Sequence, residues 1–284
     1  MRQFRTRNLV FSECNALKIK MNTSTSYASP AYTCLILQIE HSVATVSLNR
    51  PALRNSFNAQ LISELTSVFE DLGSRSDVRV IVLAANGIGF CAGADLSWMK
   101  AMASFSYEEN LADADLLAKM LSTIYLCPLP TIARVQGDAY GGGVGLAAVC
   151  DIVIASESAH FCLSEARLGL LPATISPYVI KAMGEQASRR YFITSERFSA
   201  AEAHRIGFVH LLSPPAELDQ HVERTCRSLL QNGAHAVKEC KRLVQDFANQ
   251  PIDEKLRAES VKRIADIRGT AEAQARMKSF LEKN

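Results

Sequence analysis

A chain of 284 residues, 48% of them hydrophobic, is long enough to bury one large core. Its formal charge of +2 leaves no basic footprint for nucleic acid, and no apolar run reaches the roughly 18 to 20 residues of a membrane span. Eight cysteines without a C-x-x-C pair and six histidines without H-E-x-x-H give no metal site, and cysteines inside apolar strings, such as Cys150 and Cys162, read as small buried thiols of a reducing compartment.

In chain order, residues 1–30 stand apart. Arg2, Arg5, Arg7, Lys18 and Lys20 are accompanied by only one acid, Glu13, and the stretch Asn22 to Ser29 is rich in Ser and Thr. Such a segment reads either as a transit peptide, which would place the protein in the mitochondrial matrix, or as a disordered extension upstream of a start at Met21 on a cytoplasmic protein. The second reading is preferred. Strand-like runs then follow at Leu35 to Ile39, Val43 to Leu48, Val78 to Leu83, Thr131 to Val135 and Asp151 to Ala155. Helical patterns fall at Ala59 to Leu72, near Glu108 to Ile124, and after Gly142. Alternation of this kind predicts an α/β core. From Pro177 onward the pattern is almost wholly helical, with a break at Pro214-Pro215 and a capped helix from Ser199 to Gly207.

Two loops carry the chemistry. The run Tyr140-Gly141-Gly142-Gly143-Val144-Gly145 joins a β-branched strand to an alanine-rich helix, a place where unpaired helix N–H groups can meet an anion or a developing oxyanion. The second loop, Gly87 to Leu96, follows the apolar run at Val78 and contains Cys91-Ala92-Gly93-Ala94-Asp95. Neither loop spells a dinucleotide fingerprint or a phosphate-binding Gly-Lys-Ser/Thr, which argues against nucleotide chemistry of those kinds. Together they can offer one N–H each to a single oxygen. Cys91 has no matched base and reads as structural rather than nucleophilic.

Four segments give a resemblance: Leu48 to Ser56, Phe90 to Asp95, Gly137 to Asp151, and Phe161-Cys162-Leu163-Ser164-Glu165-Ala166-Arg167-Leu168-Gly169-Leu170. The chain resembles the crotonase, or enoyl-CoA hydratase/isomerase, superfamily from about Leu35 to Glu282. The resemblance implies a spiral of ββα turns over residues 31–198 and a C-terminal helical region over 199–284 that builds trimers, often paired into hexamers. It implies an acyl-CoA substrate, with coenzyme A entering as part of that substrate and no separate cofactor. The backbone N–H groups of Ala94 and Gly142 become the oxyanion hole, and substrate contacts fall at Arg54, Ala92, Asp95, Leu96, Gly141 and Gly145. Arg54 is the phosphate partner, since a guanidinium is a good bidentate donor.

Many hydratases of this family use two glutamates, and here the chain departs from them. The first position is Gly145, and only the second is kept, as Glu165. Ala166, Leu168 and Leu170 beside Glu165 predict partial desolvation and a raised pKa, suited to proton transfer near neutrality. One carboxylate suffices for isomerisation, and also for hydration if it takes a proton from water and returns it to the alpha carbon on the same face. The stretch Ser164 to Tyr178 and the run Cys91 to Met99 resemble bacterial methylglutaconyl-CoA and isohexenylglutaconyl-CoA hydratases more than straight-chain enoyl-CoA hydratases. The expected activity is hydration of a branched enoyl-CoA, with isomerase or non-catalytic acyl-CoA binding as alternatives. Lys100, Arg167 and Lys181 are candidate partners for a distal substrate carboxylate, with Thr174, Ser176 and Tyr178 as hydrogen-bonding alternatives. The bare Gly145 is expected to leave open space for the branched acyl chain.

Overall fold

A computed structural model describes residues 32–282. The basic segment 1–30, with its two candidate origins, lies outside the described residues. From the N-terminal side the elements are β1 (Leu35–Glu40), β2 (Val43–Leu48), α1 (Ala59–Ser74), β3 (Val80–Ala85), α2 (Leu96–Met102), α3 (Tyr107–Leu126), β4 (Thr131–Val135), β5 (Ala139–Tyr140), α4 (Gly142–Ala148), β6 (Ile152–Ser156) and β7 (His160–Cys162). They continue as α5 (Ser176–Met183), α6 (Glu185–Thr194), β8 (Phe198–Ser199), α7 (Ala200–Arg205), β9 (Leu211–Ser213), α8 (Leu218–Gln231), α9 (Ala234–Phe247), α10 (Glu254–Arg268) and α11 (Ala271–Leu281).

Six strands form the main sheet in the order β1-β2-β3-β4-β6-β9, antiparallel between β1 and β2 and parallel thereafter. The short strands β5, β7 and β8 form a second sheet. The chain leaves β4 for β5 and then α4, and leaves β6 for β7 and then α5. This is the strand-strand-helix turn that the resemblance implied.

β3 shows why its sequence is apolar without alternation. All six of its residues are buried. Ile81, Leu83 and Ala85 join the large core beneath α1, while Val80, Val82 and Ala84 pack with Ile132 and Ile154 against Leu218, Val222 and Cys226 of α8. On α1, Leu61, Leu65, Val68, Phe69 and Leu72 repeat at helical spacing and are buried, and the Asn58 side chain caps the helix by accepting from the Leu61 N–H at 2.9 Å. Each such side chain contributes roughly 1.5–3 kcal/mol by leaving water.

Two sequence expectations shift. The region after Pro177 contains strands as well as helices. β8 spans the expected boundary at 198/199, and β9 extends the main sheet beyond it through pairing of Ile154, Ala155 and Ser156 with Leu211, Leu212 and Ser213. Three-residue strands are too short to show a period of two in sequence. Similarly, β6 begins at Ile152, because the Asp151 carboxylate turns aside to accept from the Thr131 N–H and hydroxyl and to pair with Lys241 at 2.8 Å.

Candidate active site

The two glycine loops meet. Phe57 donates its N–H to the Gly93 carbonyl at 2.7 Å and accepts from the Asp95 N–H at 2.9 Å, so Ala94 is held between two backbone bonds. Tyr140 donates to the Cys91 carbonyl at 2.9 Å, and Phe90 donates to the Asp138 carbonyl at 3.0 Å, which ties the first loop to the strand entering the second. Gly93 sits at φ +83°, and a Cβ there would lie 2.9 Å from the Tyr140 carbonyl oxygen and 3.7 Å from the Gly142 nitrogen. Only glycine permits this backbone geometry and this approach together. Among the described residues, neither the Ala94 N–H nor the Gly142 N–H donates to any protein group. Both are therefore free for an oxygen of a ligand.

Glu165 opens a short 3-10 turn after β7. Its carboxylate lies across Gly141, where a Cβ would stand 3.0 Å from Oε1 and 3.8 Å from Oε2. Gly141 has φ +49° and ψ −117°, and its N–H donates to the Cys162 carbonyl at 2.8 Å. A side chain at Gly141 would fight both the backbone and the carboxylate. Among the described residues Glu165 Oε2 is buried with no hydrogen-bond partner, and burial pushes the Glu165 carboxyl above its ordinary pKa, the expected direction, although Leu168 and Leu170 are themselves exposed. A buried acceptor without a protein partner is costly unless something else hydrogen-bonds to it.

The other predicted residues divide. Arg54 is exposed in a left-handed turn at φ +48°, and its carbonyl accepts from the Ala92 N–H at 2.9 Å, so the two loops expected to cradle coenzyme A are stitched together. Leu96 is 75% exposed at the first turn of α2. The Asp95 side chain faces the protein: it caps α2 by accepting from the Ser97 N–H at 2.8 Å and pairs with Arg50 at 3.0 Å, and these contacts hold its carboxyl below the usual range. Burial pushes the Cys91 thiol up to about 12, so it stays protonated at neutral pH. Of the three cations, Arg167 donates to the Ser195 carbonyl at 2.6 Å, Lys181 donates to the Tyr125 hydroxyl at 2.8 Å, and Lys100 is exposed in the last turn of α2. Ser176 donates back to the Ala173 carbonyl at 2.8 Å, and Tyr178 packs its ring on Tyr125 with centroids 5.2 Å apart.

Gly145 requires a correction. The space beside it is not open, because Ile175, only 2% exposed, fills it. A Cβ at Gly145 would overlap Ile175 Cγ2 and stand 2.6 Å from Ile175 Cβ. Sequence reasoning also missed Phe57, whose ring edge lies 2.8 Å from where a Cβ on Gly142 would be. Neither contact leaves a local signal, since residues 30 and 85 positions apart meet only in the folded chain.

Residues 38–284, which include both glycine loops and Glu165, match the enoyl-CoA hydratase/isomerase family. The chain belongs to that family. A crystal structure of a putative enoyl-CoA hydratase/isomerase (crotonase) from Legionella pneumophila is similar with 44% identity and a TM-score of 0.83, covering 89% of this chain and 98% of the other. An enoyl-CoA hydratase structure from Shewanella pealeana has 40% identity and a TM-score of 0.86, covering 89% and 95%. A putative enoyl-CoA hydratase from Thermus thermophilus is 29% identical over 249 residues, 87% of this chain and 98% of the relative. The mixed α/β architecture with its C-terminal helices is thus the crotonase fold.

Proposed function

We propose that this family member is a lyase that adds water to the 2,3 double bond of a branched enoyl-CoA of the 3-methylglutaconyl-CoA type, with Glu165 as its single acid-base group. The observation that carries the reading is the Glu165 carboxylate, half-buried across Gly141, with Oε2 unpartnered and its pKa raised. In the reaction Glu165 takes a proton from water as the hydroxide oxygen bonds to C3. The thioester oxygen becomes an enolate oxygen held by the Ala94 and Gly142 N–H groups, and Glu165 returns the proton to C2. Water is consumed whole, and no group other than the acyl-CoA is needed. A positioned acid-base group contributes about 10²–10⁴-fold, and each oxyanion donor about 10²–10³-fold.

Arg54 contributes a phosphate contact to the coenzyme in this reading, beside the Ala92 to Leu96 loop. The C-terminal helices join copies into a trimer or a hexamer, in keeping with Val244, Val261 and Phe280, which are exposed on α9, α10 and α11. Isomerisation is the second reading, favoured by the same single carboxylate, because moving a double bond needs one shuttled proton. A screen of a branched glutaconyl-type enoyl-CoA, a straight 2-enoyl-CoA and a 3-enoyl-CoA in deuterated water tests both. Hydration of the branched substrate gives a 3-hydroxy product with deuterium at C2. A shifted double bond without hydroxylated product would replace hydratase by isomerase, and no turnover of any substrate would leave an acyl-CoA binder.

A further inference from the structure

Gly141 is the cap residue of α4, and Gly145 lies one turn into the helix. The two ends of the segment 165–175 reach these two glycines. Its first residue, Glu165, sits on Gly141, and its last, Ile175, sits on Gly145. Each glycine receives one side chain of the same segment. Ile175 then leads directly into α5, with the Val179 N–H donating to the Ile175 carbonyl at 3.0 Å, so its backbone is fixed from the other side as well.

The contact uses the branched part of Ile175. Cγ2 and Cβ are the atoms that a Cβ on residue 145 would strike, and both belong to a fully packed side chain rather than to a flexible tip. Removing Cγ2 alone is not enough, since the Ile175 Cβ would still lie 2.6 Å away. Glycine at 175 clears both atoms, and glycine is tolerated at the cap position that Ile175 occupies before α5.

We infer that Ile175 fixes this site at one carboxylate: it occupies the volume that any side chain at position 145 needs. The pair Gly145–Ile175 therefore decides how many acids the site holds. Its activity readout rests on the hydratase reading, but its packing readout does not.

The test is a double-mutant cycle. Gly145→Ala alone should lower Tm by about 3–10 °C, the overpacking range for a domain of this size. Made in Ile175→Gly, the same change should raise Tm, because the methyl group then fills vacated space. An equal fall in both backgrounds, or no fall in wild type, would overturn the packing claim. For function, Gly145→Glu should melt low and hydrate poorly, and Gly145→Glu/Ile175→Gly should regain Tm and hydrate a straight 2-enoyl-CoA at least tenfold faster than Gly145→Glu. A double variant that melts higher but gains no rate would refute the control of carboxylate number. Should the wild-type chain hydrate nothing, the functional reading fails while the Tm reversal still decides the packing.

Discussion

Replacing Glu165 by glutamine should cost activity and increase stability at the same time. The amide keeps the side-chain shape, so the contact across Gly141 survives, but it cannot take a proton from water. We expect kcat to fall by about 10²–10⁴-fold, equivalent to roughly 2.7–5.5 kcal/mol of lost transition-state stabilisation, with acyl-CoA affinity retained. The stability effect follows from the unpartnered Oε2. A buried neutral polar group without a partner costs about 1–3 kcal/mol, and a charged one costs more. Burial raises the folded-state pKa of Glu165 above its ordinary 4.5, so the folded chain binds this proton more tightly than the unfolded chain does. That stabilisation is fully present below the unfolded pKa, is lost as pH rises through the folded value, and stays lost at neutral pH. Glutamine does not titrate. The Tm of Glu165→Gln minus that of wild type should therefore grow by a few degrees between about pH 4 and pH 8. Steady-state kinetics and melting across that range are the assays. A variant with more than about a tenth of wild-type kcat, or one whose relative Tm falls with rising pH, would refute the assignment.

Ala94→Pro should remove one oxyanion donor and lower kcat/KM by roughly 10²–10³-fold, whereas Ala94→Ser, which keeps the N–H, should retain most activity. Ala94 is exposed and its N–H has no protein partner, so a well-folded proline variant at full activity would place the oxygen elsewhere. Lys241→Met should lower stability by about 2–3 kcal/mol, because it leaves Asp151 without its 2.8 Å partner at a site only partly open to water. An unchanged Tm would show that the pair is dispensable. Alkylation of the native protein near pH 8, mapped by mass spectrometry, should mark exposed Cys240 and spare Cys91 and Cys150, whose burial holds both thiols at about 12. Rapid labelling of Cys91 would revive it as a nucleophile.

The legible parts of this molecule are those whose cause is local. The β-branched runs at Val43 and Thr131 matched their strands residue for residue, because one or both faces of each are buried and a slip would expose them. The direction of the Glu165 pKa was legible, but its expected cause was not, since Leu168 and Leu170 are both more than half exposed and burial comes from elsewhere in the fold. Asp95 was only half legible. Its place beside Ala94 suggested a ligand contact, yet an aspartate directly before a helix is also a cap, and here the cap and Arg50 take its carboxylate.

Gly145 marks the boundary more sharply. A missing side chain in sequence says that nothing projects from the helix, and it cannot say whether the place is left empty for a substrate or filled from elsewhere. Close packing makes the second outcome the default, since an unfilled apolar space loses contacts on every wall. Ile175 supplies the filling from thirty residues away. The missing glutamate is thus matched by a filled space, so restoring an acid at Gly145 without changing Ile175 should damage the site rather than complete it.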